Sequence, residues 1–224
     1  MLEEIIKRTR SSIIIIGHSG AGKTTLANLI SLYSGAHIIE VGHHVISEAS
    51  QQPQPMSALE YADAKLRAGK YYHFVEQIAA SHDFSEPTII VGPRQVQEVK
   101  FFRDVLNSTI VIGLDAPDDV RETRRCDPEE LGTGGPTWLE HRDKVERAWG
   151  AENTLQLADA VLDATKPPSH LLAQAAHVWK EMGKPVTSRS RSYFFLQDIM
   201  TILKKDESYS PRRILDTSPL IIEA

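Results

Sequence analysis

The sequence predicts an α/β fold in which helices cover both faces of a five-stranded parallel sheet, a three-layer αβα arrangement. The run Ile13-Ile14-Ile15-Ile16 is entirely β-branched, which indicates a strand buried on both faces. Further short apolar runs alternate with segments of helical apolar spacing, the pattern of parallel strands joined by helices. A glycine-rich segment follows the first run directly, where a strand-to-helix turn is expected.

The first half of the chain then contains a second strand and three helices. An apolar stripe of helical spacing ends at Gly35, and residues 36–41 predict the second strand. Residues 45–56 are polar and contain prolines, which predicts a loop. Ser57-Ala58-Leu59-Glu60 has the pattern of a capping box and begins a helix. A further helix is predicted over residues 72–79.

The second half continues the alternation. Strands are predicted at residues 88–91, 109–114 and 160–162, and helices at 96–106, at 117–125, from 137 onward and at 169–182. Between them, residues 126–136 hold three glycines and two prolines, which predicts a loop. A polar linker begins near Lys184, so we expect a main domain over residues 1–183 and an appendage with one helix over residues 184–224.

Composition excludes several classes of protein. The chain has 224 residues, of which 41% are hydrophobic and 25% charged. This is enough apolar surface for a real core, which excludes an extensively disordered chain. A net charge of -5 argues against direct nucleic-acid binding. One cysteine excludes a disulfide framework and a multi-cysteine zinc site, and fits a reducing cytoplasm. No apolar run reaches the length of a membrane span, so we expect no membrane contact.

The glycine-rich segment carries the strongest chemical signal. Gly17-His18-Ser19-Gly20-Ala21-Gly22-Lys23-Thr24 fits G-x-x-x-x-G-K-[ST], whose backbone amides surround phosphate at a helix N-terminus. Lys23 is placed to bridge the β and γ phosphates, the Thr24 hydroxyl to bind Mg²⁺, and Thr25 to reach the α phosphate. The predicted ATP-binding residues are therefore Gly17, Ser19, Gly20, Ala21, Gly22, Lys23, Thr24 and Thr25.

Other motifs narrow the class of nucleotide-binding protein. No Asn-Lys-x-Asp sequence occurs, which argues against a GTPase. Val91 is followed by Gly92-Pro93-Arg94 rather than by an acidic pair, which argues against a motor or remodelling ATPase. These absences favour a small-molecule kinase.

The order of motifs resembles the nucleoside monophosphate kinase superfamily, especially its dephospho-CoA kinase-like branch and the archaeal kinase-like proteins of that branch. The resemblance covers roughly residues 12–183 and implies a P-loop NTPase fold with a helical acceptor-binding insert at about residues 43–82 and a short lid at about 126–136. Weaker matching segments are residues 41–45, 64–69, 90–94 with Glu98, 121–125, 142–146 and 157–161.

The resemblance also implies roles for particular residues. Arg94 would face the acceptor or the transferred phosphoryl group, where a planar guanidinium grips phosphate oxygens. Arg121, Arg124 and Arg125 would lie at the hinge of the lid, with Arg121 on the nucleotide and Arg124 on the reacting phosphates. The turn at residues 164–167 would flank the adenine.

Two departures leave the function open. Related kinases often carry an acid just after the second strand, which positions or deprotonates the acceptor hydroxyl; here that place is His43-His44, with Glu40 before it. These histidines either act as the base or are hydrogen-bonded at a strand end. The lid segment also lacks arginine.

Two hypotheses remain, with a third and weaker one beside them. The first is an ATP-dependent phosphotransferase acting on a nucleotide, nucleoside or related small molecule. The second is a nucleotide-binding regulatory or assembly module, with a homo-oligomer or protein partner held through residues 193–224. The third is service in nucleic-acid modification, with a modified base or nucleotide as the acceptor.

Overall fold

The structure, a computed structural model, describes residues 12–54, 56–86, 88–106, 109–124, 136–181 and 221–222. Six strands occur among these residues. They are β1 (Ser12–Gly17), β2 (His37–Glu40), β3 (Thr88–Val91), β4 (Thr109–Asp115), β5 (Ala160–Asp163) and β6 (Ile221–Ile222).

The strands form one sheet in the order β2-β3-β1-β4-β5-β6, and every pair is parallel. The central strand β1 places Ile13 opposite Ile89 of β3 and Ile110 of β4. The predicted α/β class and its five-stranded parallel sheet are thus confirmed. The short strand β6 adds to the predicted five, because Ile221 pairs with Val161 at the edge of the sheet.

Nine helices connect these strands within the described residues. They are α1 (Lys23–Ser34), α2 (Val41–Ser50), α3 (Ala58–Arg67), α4 (His73–Ser81), α5 (Val96–Val105), α6 (Asp118–Arg124), α7 (Pro136–Ala148), α8 (Ala151–Leu155) and α9 (Pro168–Glu181).

Helix α2 differs from the prediction, which placed a loop at residues 45–56. The helix follows β2 without a connecting loop, and Val41, Val45 and Ala49 recur at four-residue spacing on its core-facing side. The apolar stripe is interrupted by polar residues, some exposed like His43 and Ser47 and others half-buried like Glu48, which hid this periodicity in the sequence. The capping box at Ser57 is confirmed, since its hydroxyl accepts from the Glu60 amide at 3.2 Å and its own amide donates to the Glu60 carboxylate at 2.9 Å.

The sheet separates two hydrophobic layers. Ile13 and Ile15 face the layer that contains α1 and α9, whereas Ile14 and Ile16 face the layer that contains α2 to α5. The insert α2–α4 therefore lies beside the carboxyl ends of β2 and β3. In sheets of this kind ligands bind at the carboxyl ends of the strands, so the functional site is expected there.

Several expected features lie outside the described residues. These are Arg125, residues 126–135 of the predicted lid, and all of the appendage except β6. The division into a main domain and an appendage thus stays a prediction. Of the helices that the structure describes, none is both long and apolar enough to cross a bilayer.

Candidate active site

The loop between β1 and α1 has the conformation that its glycines allow. Gly17, Gly20 and Gly22 have φ values of 136°, 83° and 91°, which side chains rarely adopt. A Cβ on Gly17 would lie 2.4 Å from the carbonyl oxygen of Leu114, so no side chain fits there. Because the first-turn amides of a helix have no intrahelical acceptor, the loop presents the positive end of α1 to a ligand.

Lys23 and Thr24 begin α1 at this edge of the sheet. The Lys23 ammonium donates to the carbonyl oxygen of His18 at 2.7 Å, so the side chain lies along the loop. The hydroxyl of the exposed Thr24 donates to the carboxylate of Glu40 at 3.3 Å. An ammonium, a hydroxyl and a carboxylate thus lie at the end of the loop, and the hydroxyl oxygen is a ligand type that Mg²⁺ prefers.

Glu40 is the acidic residue that the sequence prediction did not place at the site. It ends β2 and serves as the N-cap residue of α2, but its side chain makes no capping hydrogen bond and instead contacts Thr24. His43 Nε2 lies 3.8 Å from the same carboxylate oxygen. His44 instead packs edge-on against His82, and burial, with the charge of His82, lowers its pKa.

The loop between β1 and α1, residues 17–22, is called the phosphate loop after its sequence motif. Two arginines converge on it at Ser19. Arg94, which follows β3, donates to the carbonyl oxygen of Gly17 at 3.0 Å and to the Ser19 hydroxyl at 3.3 Å. Arg142, from α7, donates to the same hydroxyl at 2.7 Å. The structure thus brings both Arg94 and Arg142 to the loop. The resemblance implied a role for Arg94 on the acceptor or the transferred phosphoryl group, whereas the sequence analysis quoted Arg142 only within a matching segment.

A buried carboxylate joins these two arginines. Glu146 of α7 is 0% exposed and accepts from Arg94 at 3.0 Å, from Arg142 at 2.8 Å and from the Ser19 hydroxyl at 3.2 Å. Burial by itself would raise the pKa of Glu146, but the positive charges of Arg94, Arg142 and Lys23 hold this pKa below its usual value. Glu146 is therefore ionised and balances part of the positive charge at the loop.

Arg121 lies beneath the loop rather than at its open side. The residue is 1% exposed, donates to the carbonyl oxygen of Ser19 at 2.9 Å, and forms a bidentate pair with Asp143 of α7. A second pair reaches Asp118 at 2.6 Å. In this arrangement the guanidinium supports the loop backbone, and the contact with nucleotide that the resemblance implied would have to be indirect.

Arg124 is exposed and lies on the other side of the loop from Arg94. Its guanidinium donates to the carbonyl oxygen of Ala164. A cavity of about 260 Å³ opens beside it. Residues that line this cavity include Gly22, Thr25, Arg124, Thr165, Lys166 and Leu171. The turn at residues 164–167 and Thr25 thus lie together, where the sequence predicted the nucleotide base and its nearest phosphate.

Glu98 positions the turn that carries Arg94. Its carboxylate accepts from the backbone amides of Arg94 at 2.6 Å and Gln95 at 3.2 Å. Burial raises the pKa of Glu98 to about 7 even though these amides favour the charged form. The signal in the sequence is the position of Glu98 three residues after Gln95, the spacing of a capping box at the start of α5.

One group of possible metal ligands occurs among the described residues: His18, Asp143 and Glu146, with ligand atoms within 4.8 Å of one another. Both carboxylates are already ion-paired with arginines, and desolvation and the charge of Arg121 lower the pKa of His18. Positive charges on several sides disfavour a cation there. The exposed Thr24 hydroxyl at the start of α1 is the better fit for Mg²⁺.

The predicted acceptor-binding insert, at about residues 43–82, corresponds to helices α2, α3 and α4. Glu48 of α2 holds the three helices together, because one of its carboxylate oxygens accepts from Tyr61 at 2.9 Å and contacts His73 Nε2 at 2.8 Å. The indole of Trp149 donates to Asp63 at 3.0 Å and connects the insert to the end of α7.

Comparison with known proteins shows the fold. No family model matches this sequence, and no curated protein matches it. The solved structure of shikimate kinase from Aquifex aeolicus is similar over 77% of this chain and 98% of that chain, with 16% identity and a TM-score of 0.54.

Two other solved structures are less similar, with TM-scores below 0.5. A sugar kinase from Janibacter sp. HTCC2649 is 20% identical over 76% of this chain and 94% of its own, with a TM-score of 0.45. A gluconokinase from Sinorhizobium meliloti 1021 is 15% identical over 89% of this chain and 99% of its own, with a TM-score of 0.43. At 16% identity, the likeness to the shikimate kinase shows a common α/β fold and not a shared activity.

Proposed function

We propose that this chain is an ATP-dependent phosphotransferase that acts on a small molecule. The observation that carries the proposal is the convergence of Arg94 and Arg142 on the Ser19 hydroxyl in the middle of the phosphate loop. Phosphoryl transfer depends on positive charge positioned around the γ phosphate. The order of motifs supports a further proposal, that the chain is related to the nucleoside monophosphate kinases and their dephospho-CoA kinase-like branch.

ATP would lie across the loop from the cavity at Arg124 to the arginines at Ser19. The base would occupy the cavity of about 260 Å³, with Thr25 near the α phosphate and the loop amides and Lys23 on the β and γ phosphates. Thr24 would hold Mg²⁺, which supplies charge neutralisation on the phosphate oxygens when bound. Arg121 would act through the loop backbone that it supports.

Glu40 is the proposed proton acceptor. Its carboxylate lies against Thr24, at the side of the loop where the insert approaches, so an acceptor hydroxyl bound there is within its reach. Arg94 and Arg142 would stabilise the charge that develops on the moving phosphoryl group. We propose that residues 126–136 close over the site and exclude water, which would otherwise compete as an acceptor.

Replacement of Lys23 tests this proposal. In Lys23→Ala we expect ATP affinity, measured by calorimetry in Mg²⁺ buffer, to fall at least about 10-fold, because a charge-assisted contact to phosphate is lost. Acceptor-dependent ADP release should be lost with it. Lys100→Ala, at an exposed position on α5, is the matched control. Turnover retained by Lys23→Ala would contradict the mechanism.

The second candidate function is a nucleotide-binding regulatory or assembly module. The observation that favours it is Glu146, whose fully buried carboxylate already neutralises charge on both arginines. ATP binding without ADP release for any acceptor, together with an ATP-dependent change in oligomer size, would support this function instead of the first.

A further inference from the structure

We propose that the phosphoryl acceptor is an uncharged hydroxyl compound, such as a sugar, a polyol or a nucleoside, and not a compound that already carries a phosphate. This inference rests on the proposed function and defines the substrate class at the same site. It depends on the charges that an acceptor meets between Glu40, Arg94 and the insert α2–α4.

The arginines nearest to this space are committed to Glu146. Arg94 and Arg142 each form an ion pair with this carboxylate, at 3.0 Å and 2.8 Å. Glu146 is 0% exposed, so a phosphate that took over either guanidinium would leave a buried anion beside its own negative charge. ATP offsets this penalty because the loop amides and Lys23 hold its phosphates in addition to the two arginines.

Two of the three lysine and arginine side chains of the insert are also engaged. Arg67 is paired with Asp63 at 2.7 Å and its side chain is 81% exposed. The Lys65 ammonium lies 4.8 Å from the centre of the Tyr61 ring. Lys70 is exposed beyond the end of α3. A phosphate in the insert would therefore meet little positive charge.

The polar groups inside the insert suit hydroxyls instead. Glu48, Tyr61 and His73 form a hydrogen-bonded cluster between its three helices. The second carboxylate oxygen of Glu48 is buried and accepts no hydrogen bond from the described residues. Because this oxygen is buried, it acts on a ligand through its charge and not by direct contact, and that charge repels a phosphate more than a hydroxyl.

Glu40 imposes the same preference at the reacting end. In the transfer, the acceptor oxygen forms a bond with the γ phosphorus while the bond from that phosphorus to the β–γ bridging oxygen breaks. ADP leaves, and the acceptor proton goes to Glu40. A phosphate that the acceptor already carries would bring its negative charge toward the Glu40 carboxylate, next to Thr24 and the triphosphate.

The test compares hydroxyl compounds with their own phosphate esters. The full chain is incubated with ATP and Mg²⁺ and with adenosine or AMP, glucose or glucose 6-phosphate, and glycerol or glycerol 3-phosphate, and ADP release is measured. We expect ADP release with at least one uncharged member, and a kcat/KM about 100-fold lower for its ester, the size of a several-kcal/mol like-charge penalty. Mass spectrometry identifies the phosphorylated product.

A charge-specific variant separates this explanation from mere loss of shape. Glu146→Gln keeps the size of the side chain and removes its charge, so the preference for the uncharged member over its ester should fall at least about 10-fold. Glu152→Gln, in an exposed pair with Arg147, is the control and should leave the preference unchanged. An unchanged preference in Glu146→Gln would overturn the role of the buried carboxylate.

The outcomes distinguish this inference from the function on which it rests. A phosphate ester that is the better substrate overturns the substrate class and leaves the phosphotransferase proposal standing. No ADP release with either member of any pair, while ATP still binds, overturns both.

Discussion

Arg121 offers the sharpest test of how the phosphate loop is supported. In Arg121→Met the side chain of Asp143, which is 5% exposed, loses its bidentate partner, and the carbonyl oxygen of Ser19 loses a donor. Removing one partner of a buried ion pair costs about 3–5 kcal/mol, because the other charge stays buried. The pair with Asp118 adds little, since that carboxylate is 69% exposed. We therefore expect the free energy of unfolding to fall by about 3–5 kcal/mol.

The free energy of unfolding is measured by urea unfolding, and Tm by thermal unfolding, both monitored by circular dichroism in the absence of nucleotide. For a chain of this size the expected loss lowers Tm by about 10 °C. In the double variant Arg121→Met/Asp143→Leu no buried charge is left alone, so at least half of the lost stability should return. Arg124→Met, at an exposed position, is the control: its unfolding free energy should stay within about 0.5 kcal/mol of the parent while ATP affinity falls.

One result would refute this reasoning. If Arg121→Met unfolds within about 1 kcal/mol of the parent and nevertheless loses ATP binding, the guanidinium acts on the nucleotide directly. The contact that the resemblance implied would then be restored, and the buried position of Arg121 would describe only the state without nucleotide.

Two further predictions concern stability. Ser57→Ala removes the capping hydrogen bond to the Glu60 amide and should lower the free energy of unfolding by about 1 kcal/mol, with Ser85→Ala as a loop control. Glu98 has a folded-state pKa of about 7, above its unfolded value, so the folded protein binds the extra proton and stability falls as pH rises from about 4.5 to about 7. In Glu98→Gln this loss of about 3 kcal/mol should be absent from unfolding curves measured across that pH range, and an unchanged pH dependence would contradict the assignment.

The parts of the fold that depend on local pattern could be predicted from the sequence. The isoleucine run of β1, the glycines of the loop and the capping box at Ser57 each specify their own backbone conformation. Helix α2 could not be recognised in the same way, because its apolar stripe is only one residue wide and its other faces carry histidine and serine, residues typical of loops.

The site was predictable only as far as its contacts are local. Lys23 and Thr24 belong to one motif, and a role for Arg94, which follows β3, was implied only by the resemblance. Glu146 and Ser19 are 127 residues apart, so no local pattern connects them. The same holds for Thr24 in helix α1 and Glu40 at the end of strand β2. Burial was equally hidden: Arg121 and Arg124 are one turn apart on α6, yet one is buried and the other exposed.

Helix α7 contacts the phosphate loop from two sides. Asp143 holds Arg121 beneath the loop, and Glu146 holds Arg94 and Arg142 above it. The two carboxylates are three residues apart, so they lie on the same face of the helix and move together. A displacement of α7 would therefore change both the support of the loop and the charge beside the Ser19 hydroxyl.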